Sequence, residues 1–232
     1  MILNLENLTA GIYWWKHVQG SWGADIGNSE YGPIYNARAA GVTSSWWATT
    51  VDRLWDWKAI RSSTPPNSKL LIRERGEPKL ADIAQHYAAI CILASGEPTI
   101  EEVCWQHIAP MFEIGFAIKY GERRSASPVF ASKMCHFIFP RVFPVVDNKA
   151  TGYFDYEFYW RGMKDAWGQF ADRGRARKIL EIAIEAERVH ELYPWETRII
   201  ELCHIGYTHY EKAEAMARER GKPLELEPSV VE

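Results

Sequence analysis

The chain has 232 residues, 47% of them hydrophobic and 25% charged, and carries a net charge of −3 at pH 7. That is enough for one domain with a good core or two small ones, at an ordinary globular composition, and it excludes a globally basic nucleic-acid binder: any DNA contact needs a local basic patch. The longest apolar run, Ala88 to Ala94, is too short to span a membrane, and Met1-Ile2-Leu3-Asn4-Leu5-Glu6 lacks the basic start of a signal peptide, so a cytoplasmic protein with no membrane partner is expected.

The spacing divides the chain into an aromatic-rich N-terminal segment (1–62), a loop (63–77), a helical core (78–222) and a tail (223–232). Seven of the eleven tryptophans fall before residue 60. Residues 11–42, rich in Gly, Asn and Ser, predict an irregular loop with short helical turns. Within a helix, Trp14-Trp15 and Trp46-Trp47 cannot both face one core. At least one ring of each pair is therefore predicted to line a cleft, a partner surface or a second layer.

Trp47, Val51, Leu54 and Trp55 predict a helix over 43–61, broken by Ser62-Ser63-Thr64-Pro65-Pro66-Asn67-Ser68. Leu80, Ile83, Ala84, Tyr87, Ile90 and Cys91 predict a second helix over 79–94, closed by Gly96. Thr99-Ile100-Glu101-Glu102 has the form of a capping box and predicts a helix starting at Thr99, ended or kinked by Pro110, with the pattern resuming to Tyr120. Ser127-Pro128 predicts the start of a helix that ends at Pro140, and another begins at Asp147. Ala176, Ile179, Leu180, Ala183 and Ala186 mark the next helix; Ile199, Leu202, Cys203, Gly206, Tyr210 and Ala213 mark a last long one. No strand alternation, repeat or Gly-rich phosphate loop interrupts this all-α pattern.

Cys91, Cys104, Cys135 and Cys203 form no CxxC pair and read as reduced, mostly buried thiols; no metal site and no cofactor are expected. Two residues stand out between 128 and 149. Lys133 lies on the apolar stripe of Phe130, Met134 and Phe137, where it either snorkels to water or holds an amine in a cleft with a lowered pKa. Asp147 follows Pro144-Val145-Val146 at a helix start. There it is either a plain N-cap or a carboxylate kept ionised by the helix dipole and aimed at a developing cation.

Ala131-Ser132-Lys133, a hydrophobic helix, then Phe143-Pro144-Val145-Val146-Asp147-Asn148-Lys149-Ala150 resembles the helix–hairpin–helix DNA glycosylase superfamily over residues 115–154. The resemblance implies a helix–hairpin–helix glycosylase-like domain acting on double-stranded DNA. In that superfamily a residue early in the second hairpin helix, here Lys133, works with an aspartate delivered at the next helix start, here Asp147. The family's glycine-bearing hairpin is replaced by Tyr120-Gly121-Glu122-Arg123-Arg124-Ser125-Ala126-Ser127-Pro128. Arg123, Arg124, Ser127 and Lys149 are then the expected DNA-backbone contacts, since arginines at a helix N-terminus suit a phosphate.

Arg173, Arg175, Arg177 and Lys178 form a second basic cluster that reads equally as a solvated helix face. Trp14, Trp15, Trp22, Tyr31, Tyr35, Asn36 and Trp46, with Asn28 nearby, are the candidate pocket for a flipped, modified base; core packing is the alternative for each ring. The aromatic excess is similar to bacterial phage-defence glycosylases that remove glucosylated hydroxymethylcytosine from viral DNA. The implied activity is hydrolysis of an N-glycosidic bond by a monofunctional enzyme. Two alternatives stand beside it: a non-catalytic helical module that binds a modified base or another ligand in an aromatic cleft, and an interaction protein in which Asp147 only caps a helix.

Overall fold

The computed structural model describes residues 2–19, 28–60, 68–121, 127–147, 155–184, 192–221 and 224, the side chains of 18, 19 and 28–30 excepted. Trp22, Arg123, Arg124, Lys149, most of the 62–68 break, Ala186 and nearly all of the tail fall outside the described residues. The described residues are all-α. No helix among them is long and apolar enough to cross a membrane.

Side-chain caps fix several of the helix starts. Helix α1, Leu5–Trp14, begins where the Asn4 side chain accepts the Asn7 N–H at 2.7 Å, and it continues as a π-helical stretch, Trp15–Gln19. Helix α2 is Asn28–Arg38. Helix α3, Ser44–Asp56, is capped by Thr43, and α4, Lys69–Gly76, by Ser68, whose Oγ takes the Leu71 N–H at 3.1 Å. A single 3₁₀ turn leads into α5, Leu80–Leu93. Helices α6, Trp105–Tyr120, and α7, Val129–Ile138, follow. Then come α8, Tyr156–Gln169, capped by Asp155; α9, Arg173–Ile184; and α10, Trp195–Glu219, which leaves helical geometry at His209 (φ −121°, ψ 19°).

Three expectations are corrected. The stretch 11–42 is mostly helical where described, because α1 and α2 carry buried stripes that outweigh their Gly and Pro content; α2 even accommodates Pro33. The 63–77 loop contains α4, which buries Ile72 and lays Gly76 against the Trp47 indole. The capping contacts at Thr99 do form: Glu102 accepts both the Thr99 N–H, at 2.8 Å, and its hydroxyl, at 2.9 Å. The helix nevertheless starts at Trp105, because Lys164 takes the carbonyls of Ile100, Glu101 and Val103 that a helix from Thr99 would use internally.

Helix α7 is the hub. Every residue from Phe130 to Ile138 is buried, with α6 and α3 packed against it. A helix that is buried all round must satisfy its few polar side chains internally, and here these are Ser132, Lys133 and His136. The most extensive helix pair is α1 against α10. At their crossing a Cβ on Gly206 would lie 1.8 Å from the Asn7 carbonyl oxygen, and one on Gly11 1.9 Å from that of Leu202. Two glycines thus let the backbones touch, joining the first and last described helices.

Candidate functional site

After α7 the chain carries Asp147 through residues 139–147 with no strand partner, so its buried backbone groups must be satisfied one at a time. Side chains from three other helices, and from α7 itself, do most of this, beside backbone bonds to the Phe139 and Arg141 carbonyls. Arg38 donates to the Ile138 carbonyl and Thr197 to that of Pro140. The Trp160 indole donates to the Val142 carbonyl at 2.8 Å, His136 Nδ1 bonds the Phe143 carbonyl at 2.7 Å, and the Tyr156 hydroxyl donates to the Pro144 carbonyl at 2.7 Å. Glu201 accepts the Val145 N–H, and Ser132 Oγ accepts that of Val146 at 3.4 Å. The segment leading to Asp147 is therefore held rigidly from several sides.

His136 shows how this hold is tuned. Burial first, then the nearby Arg198 charge, pushes its imidazole down to about 3, against a bond to the Phe143 carbonyl that works the other way. The ring is therefore neutral. A carbonyl can only accept, so Nδ1 carries the hydrogen, and Nε2 accepts from the Tyr31 hydroxyl at 2.8 Å. Burial raises the Tyr31 hydroxyl well above its ordinary range, which keeps it a donor.

The segment ends in a cleft lined by Trp15, Trp57, Lys133, Val145, Asp147, Arg198, Glu201 and Ile205. Lys133 Nζ lies 4.0 Å from Asp147 Oδ2, with the lysine side chain 6% exposed and the aspartate 32%. The ammonium also donates to the Trp57 carbonyl at 2.9 Å and sits 4.6 Å from the centre of the Trp57 ring. Three features of one cleft wall thus engage the lysine amine: a carboxylate, a carbonyl and a π face. Lys58 makes the Trp57 contact possible. It takes a left-handed φ of 56°, which closes α3 and lets the chain turn beside α7. On the far wall Arg198 and Glu201 form a buried ion pair one helical turn apart. The space between the walls is a cavity of about 30 Å³, room for one or two waters.

Asp147, Lys133 and Trp15 therefore share one cleft. The other candidates go elsewhere. Trp14 is buried in a second cluster, its ring stacked 4.4 Å from His209, while Trp15, its ring 5.7 Å from that of Trp14, packs against that cluster and also lines the cleft. Tyr31 is a core residue holding His136 rather than a pocket wall. Tyr35 is buried against Tyr31, and Trp46 is fully buried in the main core, because both lie on helix faces that turn inward. Trp47 is buried in the same core as Trp46, its ring 6.1 Å away, and donates its indole N–H to the Arg73 carbonyl at 3.1 Å; the expectation that this pair divides between a core and a cleft or second layer is corrected, because α4 covers the Trp47 side.

Asn36 is exposed on α2, and the side chain of Asn28 lies outside the described set. Ser127 Oγ accepts the Val129 N–H at 3.4 Å at the start of α7. Of the second basic cluster, Arg173 pairs with Glu101, Arg175 with Asp172 and Arg177 with Glu181, as on a solvated face. The residue after Asp147 lies outside the described set, and the next described helix is capped by Asp155 instead, which accepts the Phe158 N–H at 3.0 Å.

Sequence reasoning missed Trp57, Arg198 and Glu201. The last two carry the same signal that exposed Lys133: charges three residues apart amid Ile199, Ile200 and Leu202. Compared with protein-family models, curated proteins and solved structures, the chain matches none.

Proposed function

We propose that this protein is a monofunctional DNA glycosylase and that Asp147 is its central catalytic residue. The observation that carries the reading is the meeting of Asp147, Lys133 and Trp15 in one cleft, behind a segment whose backbone is fixed residue by residue. The helix–hairpin–helix element and the double-stranded DNA partner rest on the sequence resemblance over residues 115–154, of which the end of α6 and all of α7 are described as helices.

The chemistry needs an anion beside a developing cation. As the C1′–N bond of the target nucleotide breaks, the electron pair leaves with the base, which takes a proton from solvent. Positive charge gathers on the sugar, and Asp147 stabilises it. A water adds to C1′ and gives up its proton to Asp147. The 30 Å³ cavity beside the carboxylate suits that water. Lys133, held by the Trp57 carbonyl and ring, serves as a fixed ammonium that orients Asp147, not as a nucleophile. A base needs a pocket of about 300 Å³ or more, so the cleft must widen to receive one. The candidate base is glucosylated hydroxymethylcytosine of phage DNA.

The test is excision itself. The protein is incubated with unmodified duplex and with duplex carrying glucosylated hydroxymethylcytosine, then heated in alkali. Strand breaks on the modified duplex are expected, lost in Asp147→Asn while duplex binding survives, with no borohydride-trapped adduct in the wild type. A folded protein that leaves no abasic site on either duplex refutes the reading.

A further inference from the structure

We infer that Glu201 is a positioning residue for Asp147, acting through the backbone of Val145; the inference rests on the glycosylase reading above.

Helix α10 turns two charged side chains, Arg198 and Glu201, into the cleft wall opposite Lys133, and both are buried, at 3% and 4% exposure. A packing role asks for apolar side chains at these places, as at Ile199, Ile200 and Leu202 beside them. The two carboxylate oxygens are divided between two tasks. Oε1 accepts the Val145 N–H, and Oε2 accepts from Arg198 Nη1. The arginine thus compensates the buried anion and fixes its orientation, leaving the other oxygen committed to the Asp147 segment.

Val145 stands two residues before Asp147, and both line the cleft, while Val146 between them is fully buried with its N–H on Ser132. Asp147 is consequently located by two adjacent backbone bonds, one to α10 and one to α7. The bond to Glu201 is the charge-assisted one, so it sets how far the carboxylate reaches into the cleft. A displacement near 1 Å is enough to cost about a hundredfold in rate.

The test compares two double variants, each free of an orphaned buried charge. Arg198→Met with Glu201→Leu removes the acceptor. Arg198→Met with Glu201→Gln keeps a neutral acceptor for the Val145 N–H. Single-turnover excision at saturating enzyme is measured alongside duplex affinity and amide exchange at Val145. The Leu variant is expected to excise about a hundredfold more slowly at unchanged affinity, with the Val145 amide exchanging freely. The Gln variant is expected to recover most of the rate and the amide protection. Wild-type excision by a folded Leu variant, or a Gln variant no better protected at Val145 than the Leu variant, overturns the inference. A wild type that excises nothing sinks the glycosylase reading instead, while amide exchange still decides whether Glu201 holds the segment.

Discussion

Acidification from pH 7 to pH 5 should cost this protein about 4 kcal/mol of stability through two imidazoles. His136 is pushed down to about 3 from an ordinary 6.5, and His204 to about 4, burial leading in both cases. Between those folded-state values and 6.5 the unfolded chain binds protons that the folded chain refuses, so stability falls as pH drops through this window. At pH 5 the unfolded values lie 1.5 units above ambient, and each histidine contributes about 2 kcal/mol of loss. The sum is a large part of a typical total of about 5–15 kcal/mol. Urea unfolding at pH 5, 6 and 7 measures it. His136→Gln keeps a donor and an acceptor but does not titrate. It should be less stable at pH 7, yet its stability should fall by about 1.4 kcal/mol less per pH unit below pH 6. An unchanged pH slope in that variant, or a His136 ring resonance titrating near pH 6, would refute the reasoning.

Two further outcomes are open to simple measurement. Gly206→Ala puts a methyl 1.8 Å from the Asn7 carbonyl oxygen, so α1 must lift off α10; a loss of about 3 kcal/mol or more is expected in denaturant melts, and a neutral result would show the crossing to be pliable. Lys133→Met removes the donor to the part-buried Trp57 carbonyl and should cost about 1–3 kcal/mol, whereas an unchanged melt would mean that water replaces the ammonium without loss.

Lys133 and Asp147 were legible in the sequence for physical reasons: one is a charge on an apolar stripe, the other a carboxylate behind a proline-led turn. Helical geometry, by which neighbouring side chains diverge by about 100°, let Trp15 reach the cleft while Trp14 packs in a second cluster, yet it did not keep Trp46 and Trp47 out of one core. The fates of Tyr31, Tyr35 and Trp46 did not, because a ring that packs in a core and a ring that lines a pocket leave the same mark on a single sequence. Glu201 showed in the sequence only as a charge among apolar neighbours; its task was hidden, because its bond to Val145 spans 56 residues and no local pattern encodes it. Helix α4 was masked by the Pro65-Pro66 pair just before its Ser68 cap, and α2 by Pro33.

The strandless segment before Asp147 also bears on transfer between proteins. A β-strand or a capped helix carries most of its specification with it and can be moved as a cassette. This segment is specified from outside, by Arg38, Ser132, His136, Tyr156, Trp160, Thr197 and Glu201. Grafting residues 139–147 alone onto another helical scaffold would transplant the aspartate without its address. Conversely, substitutions in any of four helices can redirect the carboxylate while the residues around it stay unchanged, so the heritable unit of this site is the bundle rather than a motif.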